Sequence, residues 1–168
     1  MMGMTNYMEI LGSNQPWNMI LFMLIPVGLA EALVATEFFC LYKKEASDSW
    51  SKANKILSIL LGVYYFIITC YVLFAVFPKL HWRGFADYVA MGAMVANVIP
   101  AILILLLELN VIYQNKPFEQ KLKIHFLLVI AYLVIAHIAM VFGMFDPALF
   151  GFEDSASHMM HHDHHMMH

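Results

Sequence analysis

The last eleven residues of the chain consist only of side chains that can bind metal ions. Imidazole is the commonest metal ligand among protein side chains, and thioether sulfur is a soft ligand that favours Cu(I). A segment of this composition can bind a metal ion without a fold to hold it. We therefore predict a metal-binding tail made of His158, Met159, Met160, His161, His162, Asp163, His164, His165, Met166, Met167 and His168.

The composition of this tail favours copper over other metals. Imidazole also accepts zinc, nickel and iron, so these remain alternatives, but the four methionines favour a soft ion. In composition the tail is similar to the His/Met-rich segments of periplasmic copper carriers and of the extracellular ends of copper importers. An inert polar tail is the competing interpretation.

Ahead of the tail, four apolar runs each reach the roughly 20 residues that cross a hydrocarbon core about 30 Å thick. The chain is 62% hydrophobic and 12% charged, whereas soluble domains are about 25% charged. A chain of 168 residues cannot bury four such runs on every side. We predict an all-α integral membrane protein with a four-transmembrane-helix bundle at residues 17–146. Its helices are expected at about 17–42, 54–77, 85–113 and 122–145, between an external segment 1–16 and the external segment 147–168 that ends in the tail.

Lysine and arginine are distributed unevenly among the loops. Seven of the nine lie in or beside the loop between the first and second predicted helices and the loop between the third and fourth. By the positive-inside rule these loops are cytoplasmic, and both termini lie outside the cytoplasm. In a bacterium, the protein is then expected in the inner membrane with a periplasmic tail.

Ionisable and polar residues also occur at membrane depth, where they are costly and usually face the bundle interior. Glu31 lies near the middle of the first predicted helix, Asn97 near the centre of the third and His137 near the middle of the fourth. Methionine pairs, three or four residues apart and so on one helix face, fall in the outer half of three helices. These pairs are Met19 and Met23, Met91 and Met94, and Met140 and Met144.

If these helix faces converge, they form an intramembrane metal site. We predict its residues as Glu31, His137, Met140, Met144, Met19, Met23, Met94 and Asn97. Two other interpretations remain open. Methionine is a common filler of apolar cores, and Glu31 with His137 could form a pair that only fixes helix packing.

Three further ionisable residues are expected near the cytoplasmic interface. We predict that Glu37 and Glu108 extend to the interface or pair with loop lysines. His125 is expected to be an interfacial histidine near the start of the fourth helix.

These patterns favour a bacterial inner-membrane protein that captures copper with its tail, for transport or for delivery to a membrane partner. One alternative is an accessory or structural subunit of a membrane metalloenzyme complex. Another is a small redox protein with a metal centre at Glu31 and His137. Haem is disfavoured, because His125 and His137 lie on one predicted helix at a rise of about 18 Å and cannot ligate the same haem. His137 with a methionine of the first or third helix stays open as a haem-ligand pair.

The sequence contains no catalytic motif that we recognise, so we expect a protein that is not an enzyme. Its expected partners are the lipid bilayer, metal ions and either a membrane metalloenzyme or further copies of the chain, since four helices are few for one pore. The formal net charge of −3 gives no indication of nucleic-acid binding.

Overall fold

The computed structural model of the protein describes residues 5–43, 48–82, 84–113 and 117–146. Within these ranges the chain is helical and contains no strand. A short helix, α1 (Asn6–Gly12), precedes four long apolar helices: α2 (Trp17–Tyr42), α3 (Ser49–Lys79), α4 (Phe85–Glu108) and α5 (Glu119–Met144). All four are long and apolar enough to cross a membrane, which confirms the prediction of four helices that could span one. The metal-binding tail lies outside the described residues.

The helix boundaries differ most from the predicted ones at the start of α3, which begins at Ser49 rather than at residue 54, and at the end of α4. The third predicted helix extends to residue 113, but α4 ends at Glu108. Asn110 adopts a left-handed φ of 55°, and the Val111 N–H donates to the Leu106 carbonyl at 3.0 Å. A left-handed residue followed by such a bond is a common way to end a helix.

Prolines distort two of the long helices. Pro26 lacks an N–H and would clash with the carbonyl four residues earlier in a regular helix, and α2 forms a π turn at Ile20–Leu24 just before it. A second π turn, Val72–Val76, precedes Pro78 in α3. A π turn closes i→i+5 bonds and inserts one residue into the helical repeat. Side chains before the turn are therefore rotated relative to those after it.

The four long helices form a ring in chain order, in which each packs on the next and α5 packs on α2. The ring has a terminal end, where α2 begins and α5 ends, and a lysine end, where α2 ends and α5 begins near Lys121 and Lys123. Fully buried Leu33, Leu61 and Ile104 belong to its central core.

The short helix α1 packs against α4 and α5 at the terminal end. The Asn6 N–H donates to Asp87 Oδ1 at 2.8 Å, and the Asn6 amide donates to the His81 carbonyl at 2.7 Å. Tyr7 is buried against Gly143 of α5, and this burial raises the pKa of the Tyr7 phenol. Within the predicted external segment, residues 6–12 thus form a helix that is docked on the bundle.

Candidate functional site

A cavity of about 190 Å³ lies in the terminal half of the bundle. All five helices contribute to its wall, and α1 contributes through Tyr7. The side chains able to donate an electron pair or a proton come mainly from α2, α4 and α5. Its lining residues are Tyr7, Phe22, Met23, Pro26, Val27, Glu31, Tyr65, Met94, Asn97, Tyr132, Ala136, His137, Ala139 and Met140.

Six of the eight residues predicted as an intramembrane site line this one cavity. They are Glu31 and Met23 of α2, Met94 and Asn97 of α4, and His137 and Met140 of α5. The faces of three helices thus converge as the sequence pattern suggested.

The other two predicted residues, Met19 and Met144, do not line the cavity. Met19 is 43% exposed and Met144 is 62% exposed. Met19 lies before the π turn of α2, which rotates it by about 100° relative to residues after the turn. A helical wheel that assumes a uniform repeat therefore places Met19 on the wrong face of α2. Met144 lies just beyond Gly143, where Tyr7 of α1 covers the bundle.

His137 is held so that one ring nitrogen remains free. Its Nδ1 lies 2.7 Å from the Leu133 carbonyl oxygen, and a carbonyl can only accept a hydrogen bond. Nδ1 therefore carries the proton, and in the neutral ring Nε2 keeps its lone pair. Metal-binding histidines are commonly oriented by such a bond from the second nitrogen to a backbone carbonyl.

Glu31 and His137 are both exposed at the surface of the bundle. Because both side chains also line the cavity, the cavity opens to the surface beside them. His137 borders a second, apolar surface groove of about 490 Å³ that is lined by Leu133, Val134 and other residues of α5. In a bilayer the opening would thus adjoin an apolar face that contacts lipid or another protein.

Asn97 gives the cavity a buried polar atom. The α4 helix is interrupted at Asn97, three residues before Pro100, and the side chain is 1% exposed. Its Oδ1 has no hydrogen-bond partner among the described residues. Nearby, the Tyr65 hydroxyl donates to the Met94 carbonyl at 2.7 Å. A buried unpaired oxygen beside a cavity is an acceptor that a water or a ligand can use.

The donor set of the cavity fits a soft metal ion better than a hard one. The described residues contain no group of three or more His, Cys, Asp or Glu side chains placed to hold a metal ion. Zinc sites are built from those side chains. A metal in this cavity would therefore depend on the thioethers of Met23, Met94 and Met140, with His137 or Glu31 completing the set. Thioether ligation selects Cu(I).

The structure contains a second ionisable cluster that the sequence interpretation missed. Glu37 is fully buried and contacts His125 Nδ1 through Oε1; it does not extend to the interface or pair with a loop lysine. His125 is only 3% exposed, so the prediction of an interfacial histidine was also wrong. Both residues lie near the lysine end, on helices that pack together. Their equal depth was the only sequence signal that could have paired them.

Comparison with known proteins gives a family without an assigned function. A search of curated proteins and a search of solved structures each found no match. A family model described as a family of unknown function, DUF6803, matches residues 2–159. The match includes the whole helical bundle and ends within the tail, at its second residue. The chain therefore belongs to the DUF6803 family.

Proposed function

We propose that this protein is a membrane metal-binding protein that captures Cu(I) with its tail and holds the ion in the cavity lined by Met23, Met94, Met140 and His137. From the cavity the ion is transported or passed to a membrane partner. In this proposal both termini lie on the periplasmic side of a bacterial inner membrane.

The observation that carries the proposal is the convergence of three thioethers and one oriented imidazole on a single cavity. Met23, Met94 and Met140 come from three different helices, so their proximity does not follow from spacing within one helix. His137 donates through Nδ1 to the Leu133 carbonyl, which leaves Nε2 available as a ligand. Thioether ligands select Cu(I), and imidazole also binds copper, so this combination suits copper.

The location of the cavity agrees with a role downstream of the tail. It lies in the terminal half of the bundle, the end from which the tail leaves. Exposed Glu31 and His137 mark its opening. Weak ligation at more than one site suits transfer, because an ion must be able to leave each site that it enters.

Competition for Cu(I) between the full-length protein and a coloured chelator tests this site. The cavity variant combines Met23→Leu and Met140→Leu, and the control combines Met19→Leu and Met144→Leu on the same two helices outside the cavity. Exchange of Met for Leu nearly conserves volume, so both variants should fold. We expect the cavity variant to lose one class of Cu(I) site, with a fall in affinity of at least about tenfold. Equal binding by the two variants would exclude the cavity.

A second candidate is a subunit of a membrane metalloenzyme complex. The exposure of Glu31 and His137 favours it, because ionisable groups at membrane depth are normally covered by protein or water. A photo-crosslinking residue at Val134, in the groove beside His137, tests this in native membranes. A reproducible crosslink to a different membrane protein supports the subunit role, and crosslinks to lipid alone contradict it.

A further inference from the structure

The Glu37–His125 pair forms part of a buried hydrogen-bonded chain that joins α2, α3 and α5. Glu37 Oε1 contacts His125 Nδ1, and His125 Nε2 lies 2.9 Å from Ser58 Oγ. The Ser58 hydroxyl also lies 2.7 Å from the Asn54 carbonyl, and the Thr36 hydroxyl lies 2.8 Å from Asn54 Oδ1. All five side chains are buried.

The positions of the protons in this chain follow from which atoms can donate. The Asn54 carbonyl only accepts, so the single Ser58 proton is directed to it and Ser58 Oγ accepts from His125 Nε2–H. The contact between His125 Nδ1 and Glu37 Oε1 then needs a proton of its own. If both imidazole contacts are hydrogen bonds while Ser58 donates to the Asn54 carbonyl, the pair holds one proton more than a neutral imidazole beside a carboxylate.

Charge favours the same protonation state. Without the extra proton, Glu37 would be a fully buried anion, and its Oε2 has no hydrogen-bond partner among the described residues. A buried, uncompensated charge is costly in a protein interior and in a membrane. Lys121 of α5, at the lysine end, contacts Asn110 Oδ1. With the proton bound, the pair has no net charge.

The pair has a route to water at the lysine end. A cavity of about 170 Å³ there is lined by Asn54 and His125, and the titratable groups that share it are Cys40 of α2, Glu108 of α4 and Lys121 of α5. Toward the terminal end, the core is closed by fully buried Leu33, Val129 and Tyr132. The pair is therefore connected to one side of the bundle, the side that the positive-inside rule assigns to the cytoplasm.

We propose that Glu37 and His125 form a proton-binding site that exchanges with water through the cavity at the lysine end. On loading, a hydronium ion in that cavity gives one proton to the pair and becomes water. On release, the proton returns to water, the Ser58 hydroxyl turns to donate to His125 Nε2, and His125 Nδ1–H donates to the Glu37 carboxylate. This proposal is independent of the copper site, since none of these residues lines the terminal cavity.

Nitrogen NMR of full-length protein with labelled histidine, in lipid nanodiscs at neutral pH, tests the proposal. The His125 signal is assigned by magnetisation transfer to Ser58, so the result does not depend on whether a variant folds. We expect either two protonated ring nitrogens on His125 or a protonated Glu37 carboxyl in the infrared spectrum, and exchange of that proton for deuterium within seconds in D₂O.

Two isosteric substitutions serve as test and control. Glu37→Gln keeps an acceptor for Nδ1–H but cannot stabilise the extra charge, so we expect His125 to have one protonated nitrogen. Glu108→Gln, in the same cavity, should leave the wild-type pattern unchanged. A singly protonated His125 beside an ionised Glu37 in the wild type overturns the proposal. So does deuterium exchange as slow as that of buried backbone amides.

Discussion

Substitution of Gly143 by alanine should release α1 from the bundle. A Cβ built at Gly143 would lie 2.9 Å from Tyr7 Cε1 and 3.0 Å from Tyr7 Cγ, and closer still to Cδ1. Carbon atoms pack without repulsion at about 3.5–4.0 Å, so the ring would have to move by roughly 1 Å. Tyr7 is only 6% exposed, so its ring can move only toward the cavity that it lines or together with α1. We therefore expect the strain to displace α1 rather than the much longer α5.

The size of the effect follows from the cost of overpacking. Inserting a methyl group into a packed contact costs about 1–3 kcal/mol, which corresponds to a roughly 5–150-fold change in an equilibrium. Hydrogen–deuterium exchange of the peptide covering Asn6–Gly12 measures this opening directly. We expect exchange in α1 to accelerate by a factor in that range, while exchange in the middle of α3 stays unchanged.

Gly92→Ala is the matched control, because a Cβ at Gly92 meets no atom within 4 Å. Its α1 peptide should exchange at the wild-type rate. If Gly143→Ala also left α1 exchange at the wild-type rate, the docking of Tyr7 on Gly143 would be refuted. Faster exchange in both variants would likewise show that the effect is not specific to this contact.

Three further predictions concern other parts of the chain. Gly62→Ala should lower the free energy of unfolding in detergent by about 1–3 kcal/mol, because the added Cβ would lie 2.6 Å from Leu105 Cβ. Gly28→Ala should leave it unchanged, because a Cβ at Gly28 meets no atom within 4 Å. In inside-out vesicles, an impermeant thiol reagent should modify Cys40, which lines the cavity at the lysine end, and spare Cys70; equal labelling of both thiols contradicts that route. Metal affinity of the tail should fall below about pH 6, because a metal binds only neutral imidazole; equal binding at about pH 5 and pH 7.5 would exclude histidine as its ligand.

Hydropathy predicted the four long helices because a membrane span must be apolar along about 20 residues. The predicted first helix matches α2 at both ends. Hydropathy carries no information on local backbone geometry. It therefore did not indicate that the left-handed conformation of Asn110 would end α4. The docked helix α1 was missed for a similar reason, since its burial depends on Tyr7 meeting Gly143, a contact between residues far apart in the chain.

Helical periodicity predicted most of the residues that line the terminal cavity, but it did not predict the contact between Glu37 and His125. Periodicity put Met23, Met94 and Met140 on faces that line the cavity, although Met23 lies within the π turn of α2. It failed for Met19, which the π turn rotates away. It could not pair Glu37 with His125 either, because periodicity gives the face of a helix and not which helix that face meets.

The most direct test of the copper proposal is the metal content of untagged, full-length protein purified in detergent, measured by mass spectrometry before and after Cu(I) loading. A matched sample ends after Ser157 and so lacks the tail. We predict that copper falls when the tail is removed and that about one ion per chain remains, bound by the thioethers and imidazole of the cavity. The absence of copper from both samples after loading would contradict the proposal and leave a structural subunit as the better explanation.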